Sequence, residues 1–271
     1  MKKLRYLLGS IVAITLLAVG PASAVTDGEL DGDDHPGVGL IIFDIDGSPA
    51  FRCSGTLISP MHMLTAGHCT FDNDLPGTGG DITGGRVWFD STEAAIRAKG
   101  YPFGGSGAIE LDFWVAHPDF PTAPFFVNDA GIVRLTTSVG APYGELPEVD
   151  ELDQLKTRRG KQDQTFTAVG YGLQQINPVF IQASLDRMVA RPRLIQINVP
   201  GFTGDFSLLL SNNHSTGGTC FGDSGGPNFI GDSHVIGGIT SFGINGNCAG
   251  TGGVFRVDRQ DVLDFINDNL P

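Results

Sequence analysis

Gly222-Asp223-Ser224-Gly225-Gly226-Pro227 is the stretch from which the rest of the chain is read. Glycine on both sides of a single serine lets the backbone turn sharply and approach a ligand closely. Acyl transfer from a peptide needs an activated nucleophile, a base to take its proton, and donors for the oxyanion. Ser224 offers the hydroxyl, and the backbone N–H groups of Gly222 and Ser224 suit the oxyanion role. Taken alone, the six residues also suit an ordinary glycine-rich turn.

A base is found upstream. Leu64-Thr65-Ala66-Gly67-His68-Cys69 follows Cys53-Ser54-Gly55-Thr56-Leu57-Ile58. Small residues precede His68, and a disulfide from Cys69 to Cys53 would pin it. That is suitable support for a base that must hold one orientation.

The rest of the chain reads as β structure. Short apolar runs recur at Val38 to Phe43, Arg52 to Ile58, Gly85 to Phe89, Ala130 to Leu135, Phe166 to Val169, Leu194 to Val199 and Val235 to Ser241. Glycine, proline and aspartate clusters separate them, as in a sandwich or barrel. The 39 glycines and 16 prolines fit many tight turns, and 41% hydrophobic residues suffice for a full core. In Asp258 to Leu270, apolar Val262, Leu263, Phe265, Ile266 and Leu270 lie close to helical spacing, which predicts a C-terminal amphipathic helix. Loops are expected at Asp72 to Gly84, Tyr101 to Ala108 and Ala141 to Lys161, the last dividing two halves.

The first 24 residues have the layout of a secretory signal peptide. Lys2, Lys3 and Arg5 precede an apolar run from Leu7 to Val19, and Ala22-Ser23-Ala24 forms a small-residue cleavage site. Its loss would lower the formal charge of −13 by three, to −16. So acidic a surface disfavours nucleic acid and anionic membranes as partners. In an exported chain, Cys53, Cys69, Cys220 and Cys248 are expected in two disulfides, with three pairings open. With no CxxC pair for zinc, and no EF-hand pattern in the acidic run of Asp27, Glu29, Asp31, Asp33 and Asp34, neither metal nor cofactor is expected.

Together, the cysteine-serine-glycine strand, the Thr65-Ala66-Gly67-His68-Cys69 block and the Gly222 to Pro227 block resemble the trypsin/chymotrypsin serine protease family, from about Val25 to the C-terminus. The order histidine, aspartate, serine along the chain is that of the family's triad. The resemblance implies an all-β fold of two six-stranded antiparallel Greek-key barrels with a C-terminal helix, one protease domain over 25–271, and a boundary between halves near 141–161. It also picks the aspartate. Asn128-Asp129-Ala130-Gly131-Ile132-Val133-Arg134-Leu135 is similar to the family's aspartate segment, with Ala130 and Gly131 standing where isoleucine and alanine are usual. His68, Asp129 and Ser224 are thus the implied triad of a secreted, monomeric endopeptidase. Its implied partners are protein or peptide substrates and proteinaceous inhibitors.

By the same resemblance, Gly218 lies at the base of the specificity pocket, and Gly243 and Gly253 form its walls. Glycine at Gly218 supplies no charge to pair with Lys or Arg, so a bulky apolar residue is expected before the scissile bond. Ser241, Phe242 and Gly243 would pair with the substrate backbone. The implied disulfides are Cys53–Cys69 and Cys220–Cys248, the second stapling the pocket walls. Val25, exposed as a new N-terminus by signal cleavage, would pair with Asp223. Here Thr26 and Asp27 replace the family's valine and glycine. The alternative is a catalytically inactive binding protein on the same fold, since fold alone does not guarantee chemistry.

Overall fold

The computed structural model describes residues 25–72, 81–120, 127–155, 163–177 and 180–270. The expected signal peptide and the later part of the 141–161 boundary lie outside these.

The N-terminal half holds β1 (Glu29–Leu30), β2 (Val38–Ile45), β3 (Ser48–Leu57), β4 (His62–Thr65), α1 (Gly67–Thr70), β5 (Ile82–Trp88), α2 (Glu93–Ala98), β6 (Ile109–Ala116) and β7 (Gly131–Leu135). Six of these strands close into a barrel in the order β2-β3-β4-β7-β6-β5. The β2–β3 hairpin turns on Asp46 and Gly47, at φ 51° and 74°. This two-residue Asp-Gly turn has the positive φ at both positions that matches the strand twist. All eight residues of β2 are buried.

The C-terminal half holds β8 (Phe166–Gly170), β9 (Gln175–Asn177), β10 (Phe180–Gln182), β11 (Met188–Ala190), β12 (Leu194–Val199), β13 (Gly204–Asn212), β14 (Pro227–Ile230), β15 (Ile236–Gly243), β16 (Gly250–Arg256) and α3 (Gln260–Asp268). Its main sheet runs β1-β11-β8-β14-β15-β16-β13-β12. The six strands from β8 to β12 in that order curl round until a Thr165–Arg193 bridge brings the far edge back beside β8. The expected barrels are therefore present, the second as a curled sheet extended by β11 and β1. Helix α3 buries Val262, Leu263, Phe265 and Ile266 as its spacing predicted. Phe265 meets His117 edge to face, which ties the last helix to the N-terminal half.

Tyr171, Asp31 and Arg187 form a buried polar seam between the halves. Arg187 Nε donates to Asp31 Oδ2 at 2.7 Å, and its Nη atoms donate to the carbonyls of Gly32 and Phe89. Desolvation penalises the buried Asp31 carboxylate, but His35 and Arg187 offset this and hold its pKa below the ordinary carboxylate value. Asp31 thus belongs to a buried structural ion pair.

Candidate active site

His68 lies on α1, directly after β4, and Asp129 lies directly before β7. β4 and β7 are neighbours, with Thr65 opposite Gly131, so the ladder itself brings the two residues together. The close approach of α1 to β7 requires glycine at position 131 and leaves little room at position 67. A Cβ on Gly131 would fall 2.3 Å from Thr70 Oγ1, and one on Gly67 would fall 3.0 Å from the Ala130 carbonyl oxygen. That explains the small residues around His68 and the glycine in the aspartate segment.

Asp129 is fully buried and accepts from two elements. Its Oδ1 accepts the His68 backbone N–H at 2.8 Å, and its Oδ2 lies 2.9 Å from His68 Nδ1. Ser241 Oγ also donates to Oδ2. A neutral imidazole bonded this way carries its proton on Nδ1, leaving Nε2 free to accept. Burial pulls the His68 pKa down, but the charge and hydrogen bond of Asp129 outweigh it and hold the pKa above the usual histidine value. The hydroxyl of Ser241 was read only as part of a substrate-pairing strand; nothing in the sequence pointed to its bond with Asp129.

The Gly222 to Pro227 block forms a tight loop between the halves. Gly222 and Gly225 have φ of 96° and 80°, values that L side chains rarely adopt. A Cβ on Gly225 would come within 2.0 Å of Thr65 Oγ1, so this glycine is sterically required. Ser54 clamps the loop from the first barrel: its N–H donates to the Ser224 carbonyl at 2.7 Å and its Oγ to the Gly222 carbonyl at 3.0 Å. Asp223 is buried and accepts from the Gly172 and Cys220 N–H groups at 2.7 and 2.8 Å. Burial pushes its carboxyl up to about 7, against the lowering effect of those two donors and of the Arg52 charge.

His68 and Ser224 line one cleft of about 260 Å³, shared with Thr219, Ser241, Phe242 and Gly243. Among the described residues no hydrogen bond joins His68 to Ser224, and such contacts often tighten only with substrate bound. Cys53–Cys69 and Cys220–Cys248 are both formed, and Cys220 and Cys248 lie in the cleft wall. His68 lies near the sulfurs of Cys53 and Cys69, but these are joined to each other and offer no thiolate to a metal.

Gly218 and Gly253 are not among the residues that line this cleft, though Thr219 and Phe242 beside them are. Gly218 pairs with Thr26, and Asn212 occupies the space its side chain would take, with Cγ 2.3 Å from the Cβ position. Gly253 faces the Phe242 ring, 2.3 Å from its Cβ position, whereas Gly252 faces Thr219. Gly222 lies at the turn and Val25 against Met188 and Ala190, while the hydrogen-bond partners of Asp223 are Gly172 and Cys220.

Comparison with known proteins agrees with this layout. The Trypsin family model matches residues 41–266. A CLIP domain-containing serine protease of Bombyx mori is 33% identical over 107 residues, which cover 38% of this chain but only 28% of that protein. The collagenase of Hypoderma lineatum is 21% identical, covering 80% of this chain and 75% of its own length. Kallikrein 1-related peptidase b27 of Mus musculus is 28% identical, covering 72% of each. The solved structure titled HL collagenase superposes with a TM-score of 0.68 at 18% identity, over 90% of this chain and 98% of that one. A barrel pair, a buried aspartate behind a histidine, and a family match spanning most of the residues lead to one assignment: the chain belongs to the Trypsin family, the trypsin/chymotrypsin-type serine endopeptidases.

Proposed function

We propose that His68, Asp129 and Ser224 hydrolyse peptide bonds through an acyl-enzyme. The observation that carries this reading is that Asp129 fixes His68 by ring and backbone while His68 and Ser224 face one cleft. Ser224 Oγ attacks the scissile carbonyl carbon and its proton passes to His68 Nε2. The N–H groups of Gly222 and Ser224 receive the oxyanion. The C–N bond then breaks, His68 protonates the leaving amine, and water repeats the sequence to release the acid and restore Ser224.

The preferred residue before the scissile bond is bulky and apolar. Support comes from the lining: Thr219, Phe242, Gly243 and the Cys220–Cys248 bridge supply no charge. The space at Gly218 is taken by a neutral amide whose Nδ2 donates to the Thr219 carbonyl at 2.7 Å. Secretion, a monomeric state, signal cleavage before Val25 and pairing of its new amine with Asp223 belong to the same reading. The carboxyl of Asp223 is buried and, among the described residues, accepts only from backbone N–H groups, which favours a cation there.

The test is hydrolysis of casein and of succinyl-peptide p-nitroanilides ending in Phe, Leu, Arg or Lys. Wild-type turnover with Phe or Leu, lost in Ser224→Ala, is expected. Equal cleavage by Ser224→Ala defeats the mechanism, and preference for Arg or Lys defeats the pocket reading.

A further inference from the structure

The loop over 244–249 joins β15 to β16 and carries the only Asn-Gly step in the sequence, Asn245-Gly246. Gly243 and Cys248, on either side of that step, line the cleft that His68 and Ser224 share, and Cys248 is anchored by its bridge to Cys220. Asn245 clasps the loop. Its Nδ2 donates to the Ala249 carbonyl at 2.7 Å, and its own backbone carbonyl accepts the Cys248 N–H at 3.0 Å. Both residues of the step are exposed, and a Cβ added at Gly246 would meet nothing within 4 Å. Among the described residues no hydrogen bond engages the Gly246 N–H.

We propose that Asn245 is a self-modifying site: the Gly246 amide nitrogen converts it to aspartate and isoaspartate, and the change loosens a wall of the substrate cleft as the protein ages. The chemistry needs only water. The Gly246 nitrogen gives its proton to a solvent base and attacks Asn245 Cγ. The new C–N bond closes a cyclic imide as the Cγ–Nδ2 bond breaks, and Nδ2 takes up a proton and leaves as ammonia. Water then opens the imide. Attack at Cγ gives aspartate, and attack at the main-chain carbonyl carbon gives isoaspartate, whose chain runs through the former side chain. Glycine at the second position admits this closure, because without a Cβ its nitrogen is unshielded and its backbone turns freely. Ile244 to Asn247 are all exposed, which gives the closure the local freedom it needs. Either product removes the Nδ2 donor to Ala249 and adds a carboxylate to the loop. Isoaspartate also lengthens the chain between Gly243 and Cys248. The effect on turnover rests on the triad reading above, whereas the modification itself does not.

The experiment ages the active secreted enzyme in warm, mildly alkaline buffer, maps residue 245 by mass spectrometry and follows hydrolysis of the Phe p-nitroanilide. Wild type is expected to show the amide-to-acid mass change at Asn245, in aspartate and isoaspartate forms, while kcat/KM falls about fivefold, the scale of one lost hydrogen bond. Gly246→Ala meets open space and no left-handed φ, so it should begin with wild-type activity and keep both its amide and its rate. Freshly made Asn245→Asp should already show the lowered rate. Asn245 that stays amidated under conditions converting the same chain in urea overturns the proposal, as does Gly246→Ala losing its amide as fast as wild type. A fresh Asn245→Asp enzyme with wild-type kcat/KM overturns the link to the cleft. Failure of fresh wild type to cleave any substrate would instead defeat the triad reading, since the mapping at Asn245 needs no activity.

Discussion

His68 and Asp129 are joined twice, once through the imidazole and once through the backbone N–H of His68. The carboxylate therefore fixes both the ring and the segment that carries it. Ring rotation alone cannot release His68 while the second bond holds. This double attachment gives Asp129→Asn a definite expectation. The amide can present an N–H toward Nδ1 and so select the wrong tautomer, and kcat should fall about 10⁴-fold while folding survives. Steady-state kinetics with a circular dichroism control would check it.

The pH profile follows from the raised His68 pKa. Catalysis needs the neutral ring, so kcat/KM should be low in acid and rise with a midpoint above the ordinary histidine value of 6.5. A midpoint at or below that value would mean that Asp129 does not stabilise the imidazolium.

Asp223 makes an opposite kind of prediction, one of stability. Its folded pKa of about 7 lies above the ordinary 3.8, so the folded chain binds the proton more tightly than the unfolded chain. Its contribution is fully present below about 3.8 and is lost as pH rises through about 7. A precursor whose Val25 is still peptide-bonded should therefore lose stability across that window, and Asp223→Asn should flatten the loss. Pairing with a free Val25 amine would lower the carboxyl pKa and remove the effect. Urea titrations of both forms between pH 4 and 8 distinguish these cases.

The cleft wall predicts a contrast between adjacent glycines. Gly252 faces Thr219, so Gly252→Val should narrow the pocket and cut kcat/KM for Phe substrates by tenfold or more. At Gly253 a Cβ would overlap the Phe242 ring, so Gly253→Ala should cost about 1–3 kcal/mol through overpacking. Thermal melts and kinetics on the two variants would separate the effects.

Arg187 is 1% exposed and holds Asp31, itself 0% exposed. Arg187→Met would leave His35 as the remaining side-chain partner of that carboxylate and strip the Gly32 and Phe89 carbonyls of their donor, at a cost of about 3 kcal/mol. Double substitution with Asp31→Asn should recover part of the loss, which denaturant melts would report.

The short motifs were legible because the chemistry concentrates there. The Gly222 to Pro227 block contains a glycine, Gly225, that steric contact forbids replacing, and Gly67 in the His68 block is tightly packed, so the sequence signal and the structural need coincide. The helix at α3 was readable from its one apolar face. Strands β13 and β16 were not, because Gly204-Asp205 opens the first and Gly250-Thr251-Gly252-Gly253 fills the second. Their strand geometry comes from pairing with each other and with β15, which local propensity does not record. The Ser241 bond to Asp129 joins residues remote in sequence, and only folding brings them together.

The most direct measurement is covalent labelling with a fluorophosphonate, followed by peptide mapping of the adduct. The active enzyme should carry one adduct per molecule, on Ser224, formed at a rate that falls at least a thousandfold in His68→Ala. No adduct on correctly folded protein, or an adduct on another hydroxyl with Ser224 unmodified, would contradict the triad.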